Sequence, residues 1–598
     1  MTALQTKTAM TKDKFNWKFC LCCGLFIWFV INLLQGLFTH IHEDEAYYAL
    51  FGEHLAWGYF DHPPTVALMT FLSSQLFSGA LGVRFCTIIA SCLSLFVMWK
   101  IANGRPFDPS TLRPFDKLRE LQAQGASGSG SFRPRNLQTT EQTKVVDLVE
   151  TPSKDHVLLY FFLAFSILIV NLYGFVTTPD AALLLFSALF LLVYQRYLND
   201  KSWKNTLLMG LLMALMVYSK YHAFLLLGLI VLSNLKLLKD GKFYVACLLA
   251  LAILTPHILW QVNADFPSLR YHLSGRSEPF RWSYFLEYLP NQLLVFNPFV
   301  FGAVVYVLIK HKNKDLFERG LWFFLIGFFA FFWLMTFRGH VEPHWTAVSM
   351  ISVVVLLYRK AWVDNKLRKY IQWVVAPSLL LVMAVRIALL TSVAASFGFC
   401  QDQARYEAMA LEAGDHPVAF RGSFQQPALY HYFTGKESSS LCSYYDRRTQ
   451  YDLCQFDTAW SGKPVYVDGI GLMEHFQTAN RLVTTFDIAN TGQTSPIVLH
   501  TNDTLLIRFS IYNPCPQAID FQNGMMLKLL LLEDNVVRYG DYAQIGVLQP
   551  NETYEGQFSV VLGQQTRLGK NRLLLGIGDQ IAIFAAPENA VDVVIEAP

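Results

Sequence analysis

Residues 19–39, FCLCCGLFIWFVINLLQGLFT, and residues 42–64, HEDEAYYALFGEHLAWGYFDHPP, decide how this chain folds. The first stretch carries no charge and supplies the roughly 20 apolar residues that a helix needs to cross a bilayer. It is long for a signal peptide and lacks a small-residue cleavage site, so we expect a retained span. The second stretch is amphipathic but too short to span. It predicts an interfacial helix that the prolines end, followed by an interfacial or re-entrant helix over 65–78.

Similar apolar runs continue to about residue 392, and the rest of the chain has an ordinary soluble composition. The whole sequence is 53% hydrophobic and only 16% charged, against about 25% charged in soluble domains. This composition predicts a polytopic α-helical membrane protein. We expect eleven spans, at about 19–39, 81–101, 157–176, 181–198, 204–219, 222–238, 243–260, 293–310, 320–337, 345–359 and 370–392.

Basic residues are distributed unevenly between the two sides that these spans define. With the N-terminus in the cytoplasm, the inside segments carry 28 lysines and arginines, and the outside membrane loops carry six. Cytoplasmic loops of membrane proteins are enriched in these two residues. The bias therefore predicts a cytoplasmic N-terminus, and the odd number of spans places the C-terminal region on the outer side.

The apolar runs and the composition divide the chain into three regions. Residues 1–392 form the membrane domain, and its long inside loop at 102–155 has too few apolar residues to build a core, so we expect it to be disordered. Residues 393–480 alternate helix and strand patterns, which predicts a small α/β region. Residues 481–598 contain short alternating runs separated by turn residues, which predicts a β-sandwich-like domain.

Two classes of partner are disfavoured by composition. The net charge of +3 is small and the basic residues lie in short loops, so we expect no nucleic-acid partner. The glycines of Gly125–Gly130 do not form a GxGxxG motif and follow no strand, so we expect no nucleotide cofactor.

The outer side of the membrane domain collects most of the reactive side chains. Nine of the fifteen histidines fall there, together with seven carboxylates. Ionisable groups at the rim of a helix bundle are functional candidates. The set comprises His40, His42, His54, His62, His222, His257, His272, His340, His344, Glu43, Asp44, Glu45, Asp61, Asp180, Asp265 and Glu342.

The first loop also carries the motifs of a known family. An Asp-Glu pair follows the first span, and a Gly-Tyr-Phe-acid-base-Pro-Pro motif follows at residues 58–64. With them, the chain strongly resembles the GT-C glycosyltransferases that include the protein O-mannosyltransferases and the aminoarabinose transferases acting on lipid A. The resemblance covers roughly residues 15–392. It extends to the Thr-Pro-Asp180 turn, the Ser-Lys220 turn and the Arg-Tyr-His-Leu-Ser-Gly-Arg276 loop.

This resemblance implies an enzyme that transfers a sugar, with inversion, from a polyprenyl-phosphate donor at the outer face. The expected partners are that donor, membrane lipid, and a protein or glycolipid acceptor such as lipid A. The expected location is a bacterial cell inner membrane with a periplasmic C-terminal domain. The sequence departs from the aminoarabinose transferases at His62, where they have lysine, which leaves the identity of the donor sugar open.

Each candidate receives an expected role in this reaction. We expect Asp44 to act as general base with Glu45 as neighbour or substitute, because adjacent carboxylates can raise one another's pKa. The donor phosphate is expected on Lys220, Arg276, Arg84, Tyr48 and His62. The acceptor or sugar pocket is expected to include Asp180, His222, His340, Glu342 and His344.

A divalent metal is the one further cofactor that the resemblance implies. Related lipid A enzymes suggest that Asp61 and His272, with His62 beside them, hold zinc or manganese, for which imidazole and carboxylate are suitable ligands. A hydrogen-bonded Asp–His pair without metal explains the same residues.

Two other functions remain open on sequence grounds. A lipid-linked-glycan transporter or flippase would need charged residues at mid-membrane and internally repeated halves. The spans are instead nearly free of charge, and the ionisable groups lie at one rim. A binding or assembly module carried by the outer C-terminal region is the third possibility, and it would not depend on the first loop.

Overall fold

The computed structural model describes most of the chain, and it divides into two compact units, Met1–Gln401 and Asp402–Pro598. The boundary between the two units, after Gln401, falls nine residues after the expected end of the membrane domain at 392. Residue 276 and the inside loop from 105 to 151 lie outside the described residues, which are 2–104, 152–275, 279–311, 315–441, 448–454, 459–460, 462–473, 476, 482–489, 496–516, 518–522, 526–531, 537–538, 545–563, 568–578, 583–584 and 589–597.

The described secondary structure of the first unit is helical apart from one isolated β-bridge. A π-helical turn, Tyr271–Gly275, and a 3-10 turn, Pro343–Ser349, carry two of the candidate segments. The α-helices are α1 Thr2–Phe38, α2 Glu43–Glu53, α3 Thr65–Ser74, α4 Gly79–Ala102, α5 Lys154–Phe165, α6 Leu168–Leu172, α7 Pro179–Asn199, α8 Trp203–Ser219, α9 His222–Ser233, α10 Gly241–Asn263, α11 Pro267–Arg270, α12 Trp282–Phe296, α13 Pro298–Lys310, α14 Leu316–Met335, α15 Met350–Val363, α16 Asn365–Tyr370 and α17 Leu379–Ala388.

Seven of the eleven expected spans are long apolar helical segments, and an eighth is the pair α12–α13, which bends by 101°. The other three, near 157–176, 204–219 and 222–238, form shorter helices. The first of these runs breaks at Ser166, where the Nδ2 atom of Asn297 donates to the Ser166 carbonyl at 2.8 Å. Polar side chains that satisfy freed backbone groups allow such breaks inside a membrane bundle.

A buried charge lies inside the last span, contrary to the expectation of nearly charge-free spans. Arg386 of α17 is 3% exposed, and its guanidinium donates to the Oδ1 atoms of Asn32 and Asn171. It also lies over the rings of Trp28 and Phe175. These contacts join α17 to α1 and to the segment around α6, while the buried Nε atom of Arg386 has no hydrogen-bond partner among the described residues.

The two short helices of the first loop are packed closely on each other. α2 approaches α3 at Gly52, where a Cβ atom would lie 2.5 Å from the Oγ1 atom of Thr70. The Thr70 hydroxyl donates to the carbonyl of Tyr48 at 2.9 Å. This close packing joins α2 and α3 beside the start of α4. The sequence predicts two short helices in this loop.

The second unit begins with an α/β arrangement. Its helices are α18 Gln403–Ala413, α19 Gln425–Thr434 and α20 Gln450–Cys454, and its strands are β1 Val418–Phe420, β2 Ser438–Ser440, β3 Val465–Val467 and β4 Gly471–Met473. β1 pairs in parallel with β2 and β3, and β4 pairs antiparallel with β3. The helix and strand patterns of the sequence indicate α18, α19, β1 and β3, but α20, β2 and β4 were not predicted.

The rest of the second unit is built of strands that share a buried core with the α/β part. The largest sheet has the order β10-β9-β13-β15-β6, with β14 beside β13, and a second sheet has the order β12-β7-β5. The strands are β5 Val483–Ile488, β6 Ile497–His500, β7 Thr504–Tyr512, β8 Ile519–Asp520, β9 Met526–Leu531, β10 Val537–Arg538, β11 Val547–Leu548, β12 Thr553–Val561, β13 Gly569–Gly578, β14 Ile583–Phe584 and β15 Val591–Glu596. A strand-rich C-terminal region is therefore confirmed.

Candidate functional site

The Asp-Glu pair lies on the first turn of α2, and His42 caps that helix. The Nδ1 atom of His42 accepts from the backbone N–H of Asp44 at 3.1 Å, and the carboxylate of Glu45 accepts from the backbone N–H of His42 at 3.0 Å. This reciprocal capping satisfies backbone donors that a helix start otherwise leaves without partners. It also fixes the backbone of Asp44, whose side chain remains partly exposed.

Glu45 is fully buried and forms an ion pair with Arg84 of α4. The Nη2 atom of Arg84 lies 2.5 Å from Oε2 of Glu45, and both side chains are 0% exposed. The remaining guanidinium N–H groups donate to the carbonyls of Gly36, Thr39 and His40 and again to Glu45. Glu45 also accepts from the backbone N–H of Thr177 at 2.8 Å. The pair therefore ties α1, α2, α4 and the turn before α7 together, and all five Arg84 donors are used within the protein.

A second ion pair joins the other two motif turns. The Nζ atom of Lys220, at the end of α8, lies 2.6 Å from Oδ2 of Asp180, at the start of α7. Both side chains are buried, and the hydroxyl of Tyr173 contacts the same oxygen at 3.5 Å. The Oδ1 atom of Asp180 is buried and has no hydrogen-bond partner among the described residues. This pair, unlike the first, keeps polar capacity for another molecule.

The histidines of four separate segments come together beside this pair. His222 at the start of α9 is within electrostatic range of Lys220, and of His62, His272 and His344. His344 is likewise within range of Asp44, Asp180 and Glu342. The ring of His222 packs edge-on against Phe332 and Trp345, and its Nδ1 atom is buried without a hydrogen-bond partner in the part of the chain that the structure describes. The structure therefore brings candidates from several separate segments close together.

The two remaining first-loop candidates are close to the same cluster. Tyr48 and His62 contact each other through the phenol oxygen and Nε2 at 3.3 Å. His272 contacts the backbone carbonyl of Asp61, at 3.1 Å from its Nε2 atom. The loop that carries His272 is thereby attached to the motif at residues 58–64.

A hydrogen-bond chain that the sequence did not indicate supports this attachment. His257 contacts the carbonyl of Trp57 through Nδ1 at 2.6 Å and the hydroxyl of Tyr221 through Nε2 at 3.0 Å. Gln261 donates to the Tyr221 hydroxyl and to Ser268. Burial raises the pKa of Tyr221 to about 12, so its hydroxyl keeps its proton at neutral pH. Only the position of Tyr221 between Lys220 and His222 could have drawn attention to it.

The other expected candidates are less closely involved. His340 and Glu342 form an ion pair with 3.7 Å between Nε2 and Oε2, and both side chains are more than a third exposed. Arg276 lies outside the described residues. Its expected role in binding phosphate stays a prediction.

The expected metal site does not gain support from the geometry. No group of three or more histidine, cysteine or carboxylate side chains within the described ranges is arranged to hold a metal ion. The contact between Asp61 and His272 uses the carbonyl oxygen of Asp61. Among the described residues the geometry therefore adds nothing to the expected metal, which stays a prediction, and the proposed chemistry takes no step through one.

One family of known proteins matches part of the chain by sequence. The sequence model of the dolichyl-phosphate-mannose-protein mannosyltransferase family matches residues 152–260, which include Asp180, Lys220, His222 and His257. No curated protein sequence matches the chain.

Two solved structures of ArnT from Cupriavidus metallidurans are similar to this chain. The apo structure is 12% identical with a TM-score of 0.48, covering 75% of this chain and 91% of that one. The structure bound to undecaprenyl phosphate is 13% identical with a TM-score of 0.47, covering 75% and 92%. From the family match and the apolar helices, the chain is a multi-pass membrane glycosyltransferase that is similar, over residues 152–260, to the dolichyl-phosphate-mannose-protein mannosyltransferases.

Proposed function

We propose that this enzyme transfers a sugar from a polyprenyl-phosphate carrier to a protein, lipid A or glycan acceptor on the periplasmic face of the inner membrane, with inversion at the anomeric carbon. The matched family is named for a polyprenyl-phosphate sugar of this kind, dolichyl-phosphate-mannose. The excess of basic residues on the opposite side of the spans supports the orientation.

Asp44 is the proposed general base. Its carboxylate is partly exposed at the helix start, and Glu45 is already occupied by Arg84. Asp44 would take the proton of the acceptor hydroxyl as that oxygen attacks the anomeric carbon. The bond from this carbon to the phosphate oxygen then breaks, and its electron pair leaves with the polyprenyl phosphate. General-base action of this kind contributes about 10²–10⁴-fold to rate.

Lys220 is the proposed contact for the leaving phosphate. Its ammonium group is held by Asp180 on one side and lies among the clustered histidines on the other. A charge-assisted hydrogen bond to this group would strengthen as the phosphate gains negative charge in the transition state. Arg276, Tyr48 and His62 are the proposed additional donors to the same phosphate.

The sugar is proposed to occupy the space between Asp180 and His222. Both residues have a buried polar atom without a partner in the described part of the chain, and a buried polar atom normally has one. Sugar hydroxyl groups are suitable partners for both. His344, with Trp345 beside it, would form the adjoining wall, and His340 and Glu342 would lie toward the acceptor.

One observation carries this proposal: Asp44, the Asp180–Lys220 pair and His222 and His344 come from distant parts of the sequence and lie together at one end of the bundle. Arg386, the buried cation within the last span, donates through both terminal nitrogens to Asn171 and Asn32, which favours a structural role over the transport role that the rival hypothesis requires.

The test is transfer by the purified full chain in proteoliposomes, with undecaprenyl-phosphate-linked mannose and aminoarabinose as donors. We expect Asp44→Asn to reduce the release of undecaprenyl phosphate by at least about 10²-fold. Glu53→Gln, which changes an exposed carboxylate on the same helix, is the matched control and should leave turnover unchanged. Wild-type turnover in the Asp44→Asn variant would remove Asp44 from this role.

A further inference from the structure

The segment that follows the last membrane helix is joined to the start of α2. His42 and Phe399 form an isolated antiparallel β-bridge. The backbone N–H of Glu43 donates to the carbonyl of Gly398 at 2.9 Å, and the N–H of Cys400 donates to the carbonyl of Ile41 at 2.8 Å. Both sides of this bridge belong to the first unit, although about 350 residues of sequence separate them.

The bridge holds the residue that caps the Asp44 helix. Since Nδ1 of His42 accepts from the Asp44 N–H, the proton of the neutral ring is on Nε2. The ring lies edge-on to Phe399, with 5.2 Å between centroids. Its position is therefore set from one side by the helix and from the other by the distant segment.

Gly398 allows the two segments to approach this closely. Its φ of +80° lies in the left-handed region, and a Cβ atom there would be 2.7 Å from Nε2 of His42. Both its backbone conformation and its lack of a side chain are therefore needed. Phe399 is 4% exposed and packs with Leu81 and Phe175, so the segment itself is anchored in the bundle.

We propose that His42 and Gly398 are positioning residues for the transfer reaction: together they place the Asp44 carboxylate, without touching the substrate. This inference rests on the proposed function, in which Asp44 is the base. The backbone of Asp44 is held by a hydrogen bond from its own N–H to His42, so a displaced His42 ring would displace the base. A misplacement of about 1 Å can reduce a reaction rate by about 10²-fold.

The first experiment compares two glycine substitutions with the same backbone strain. Gly435 also has a left-handed conformation after a helix, with a φ of +66°, but a Cβ atom added there would meet no other atom within 4 Å. We expect Gly398→Ala to lower kcat for release of undecaprenyl phosphate by about 10-fold or more with an almost unchanged KM. Gly435→Ala should match the wild type within about twofold, since it lacks the clash.

The second experiment separates capping from ring chemistry at His42. Asparagine is among the best N-cap residues and leucine among the poorest. We therefore expect His42→Asn to retain most of kcat and His42→Leu to lose about 10-fold or more, with the pH profile of the Asn variant unchanged.

The outcomes distinguish this inference from the proposed function. If the wild type releases no undecaprenyl phosphate from either donor, the proposed function fails and takes this inference with it. If the wild type is active but Gly398→Ala and Gly435→Ala behave alike, positioning by Gly398 is wrong. If His42→Asn is as inactive as His42→Leu, the ring acts directly and positioning by His42 is wrong.

Discussion

The two buried ion pairs that join the sequence motifs, Glu45–Arg84 and Asp180–Lys220, differ in how many of their polar atoms have hydrogen-bond partners within the protein. In the Glu45–Arg84 pair, every guanidinium N–H and both carboxylate oxygens have partners within the protein. In the Asp180–Lys220 pair, one carboxylate oxygen is buried without a partner among the described residues, and the ammonium has one described contact. Buried polar groups in proteins are normally satisfied. The Glu45–Arg84 pair is therefore a structural brace, and we propose that the Asp180–Lys220 pair receives part of the substrate.

This difference changes the roles expected from the sequence. The sequence predicts Glu45 and Arg84 at the reacting atoms, as second carboxylate and phosphate contact. The geometry favours a positioning role for both, because a phosphate could reach Arg84 only by displacing contacts that join α1 to α2 and α4. For Asp180 and Lys220, the roles expected from the sequence stay predictions.

The largest predicted effect comes from breaking the brace. Glu45→Ala would leave the Arg84 guanidinium buried without its counter-ion, and such changes typically cost about 3–5 kcal/mol. We expect a strongly lowered thermal unfolding temperature in detergent, measured by intrinsic fluorescence, with Glu53→Ala as the exposed control. The double variant Glu45→Leu with Arg84→Met should recover part of the loss. An unchanged unfolding temperature for Glu45→Ala would show that the pair is no brace.

The next largest effect is expected on transfer activity, from a substitution in the Asp180–Lys220 pair. Lys220→Met removes a charge-assisted hydrogen bond of about 1.5–3 kcal/mol from the proposed phosphate contact, so kcat/KM should fall about 10-fold to 150-fold. Lys360 forms a comparably buried pair with Glu318, with 2.6 Å between Nζ and Oε2. Lys360→Met should lower stability to a similar extent but leave transfer per folded molecule unchanged. Equal losses in the two variants would mean that Lys220 acts only through stability.

A double substitution sharpens this second test. Replacing Asp180 and Lys220 together, with Asp180→Leu and Lys220→Met, removes both charges and should restore stability relative to Lys220→Met alone. Transfer should remain lost, because the binding groups are gone. Recovery of transfer along with stability would contradict the assignment of this pair to the substrate.

The smallest effect is expected at Glu43, which is half-buried beside Asp44. Burial raises the pKa of the Glu43 carboxyl, Asp44 acts in the same direction, and His42 partly opposes them. A raised pKa in the folded state destabilises the protein as pH rises through that value, because the ionised form is disfavoured by folding. Glu43→Gln should therefore raise the unfolding temperature slightly at pH 8, and the difference should shrink as pH falls toward 4.5.

Thermal unfolding of both proteins across this pH range provides the measurement. If the difference in unfolding temperature between Glu43→Gln and the wild type grew as pH fell, the pKa of Glu43 would be lowered rather than raised. Since Glu43 lies next to the proposed base on the helix, transfer at pH 8 should be measured in parallel, and only the stability is expected to change.

Much of the fold could be read from local patterns. The apolar runs predict the long spans because crossing a bilayer requires an uninterrupted apolar helix. The prolines at 63 and 64 predict the end of the first interfacial helix, and alternation in 504–511 predicts β7. Three of the predicted spans are shorter helices in the structure. The sequence did not show this, because a break such as the one at Ser166 depends on Asn297 from another part of the chain.

The sequence by itself determined which residues carry charge, which end of the bundle collects them, and where each helix of the first loop begins. These properties are local, since they depend on neighbouring residues and on the helical repeat. Only the tertiary structure decided which acid pairs with which base, because Glu45 and Arg84 are 39 residues apart and Asp180 and Lys220 are 40 apart. The same is true of His42 and Gly398. Packing of distant helices alone determines whether a buried carboxylate meets enough donors to become a brace or keeps an oxygen for a substrate.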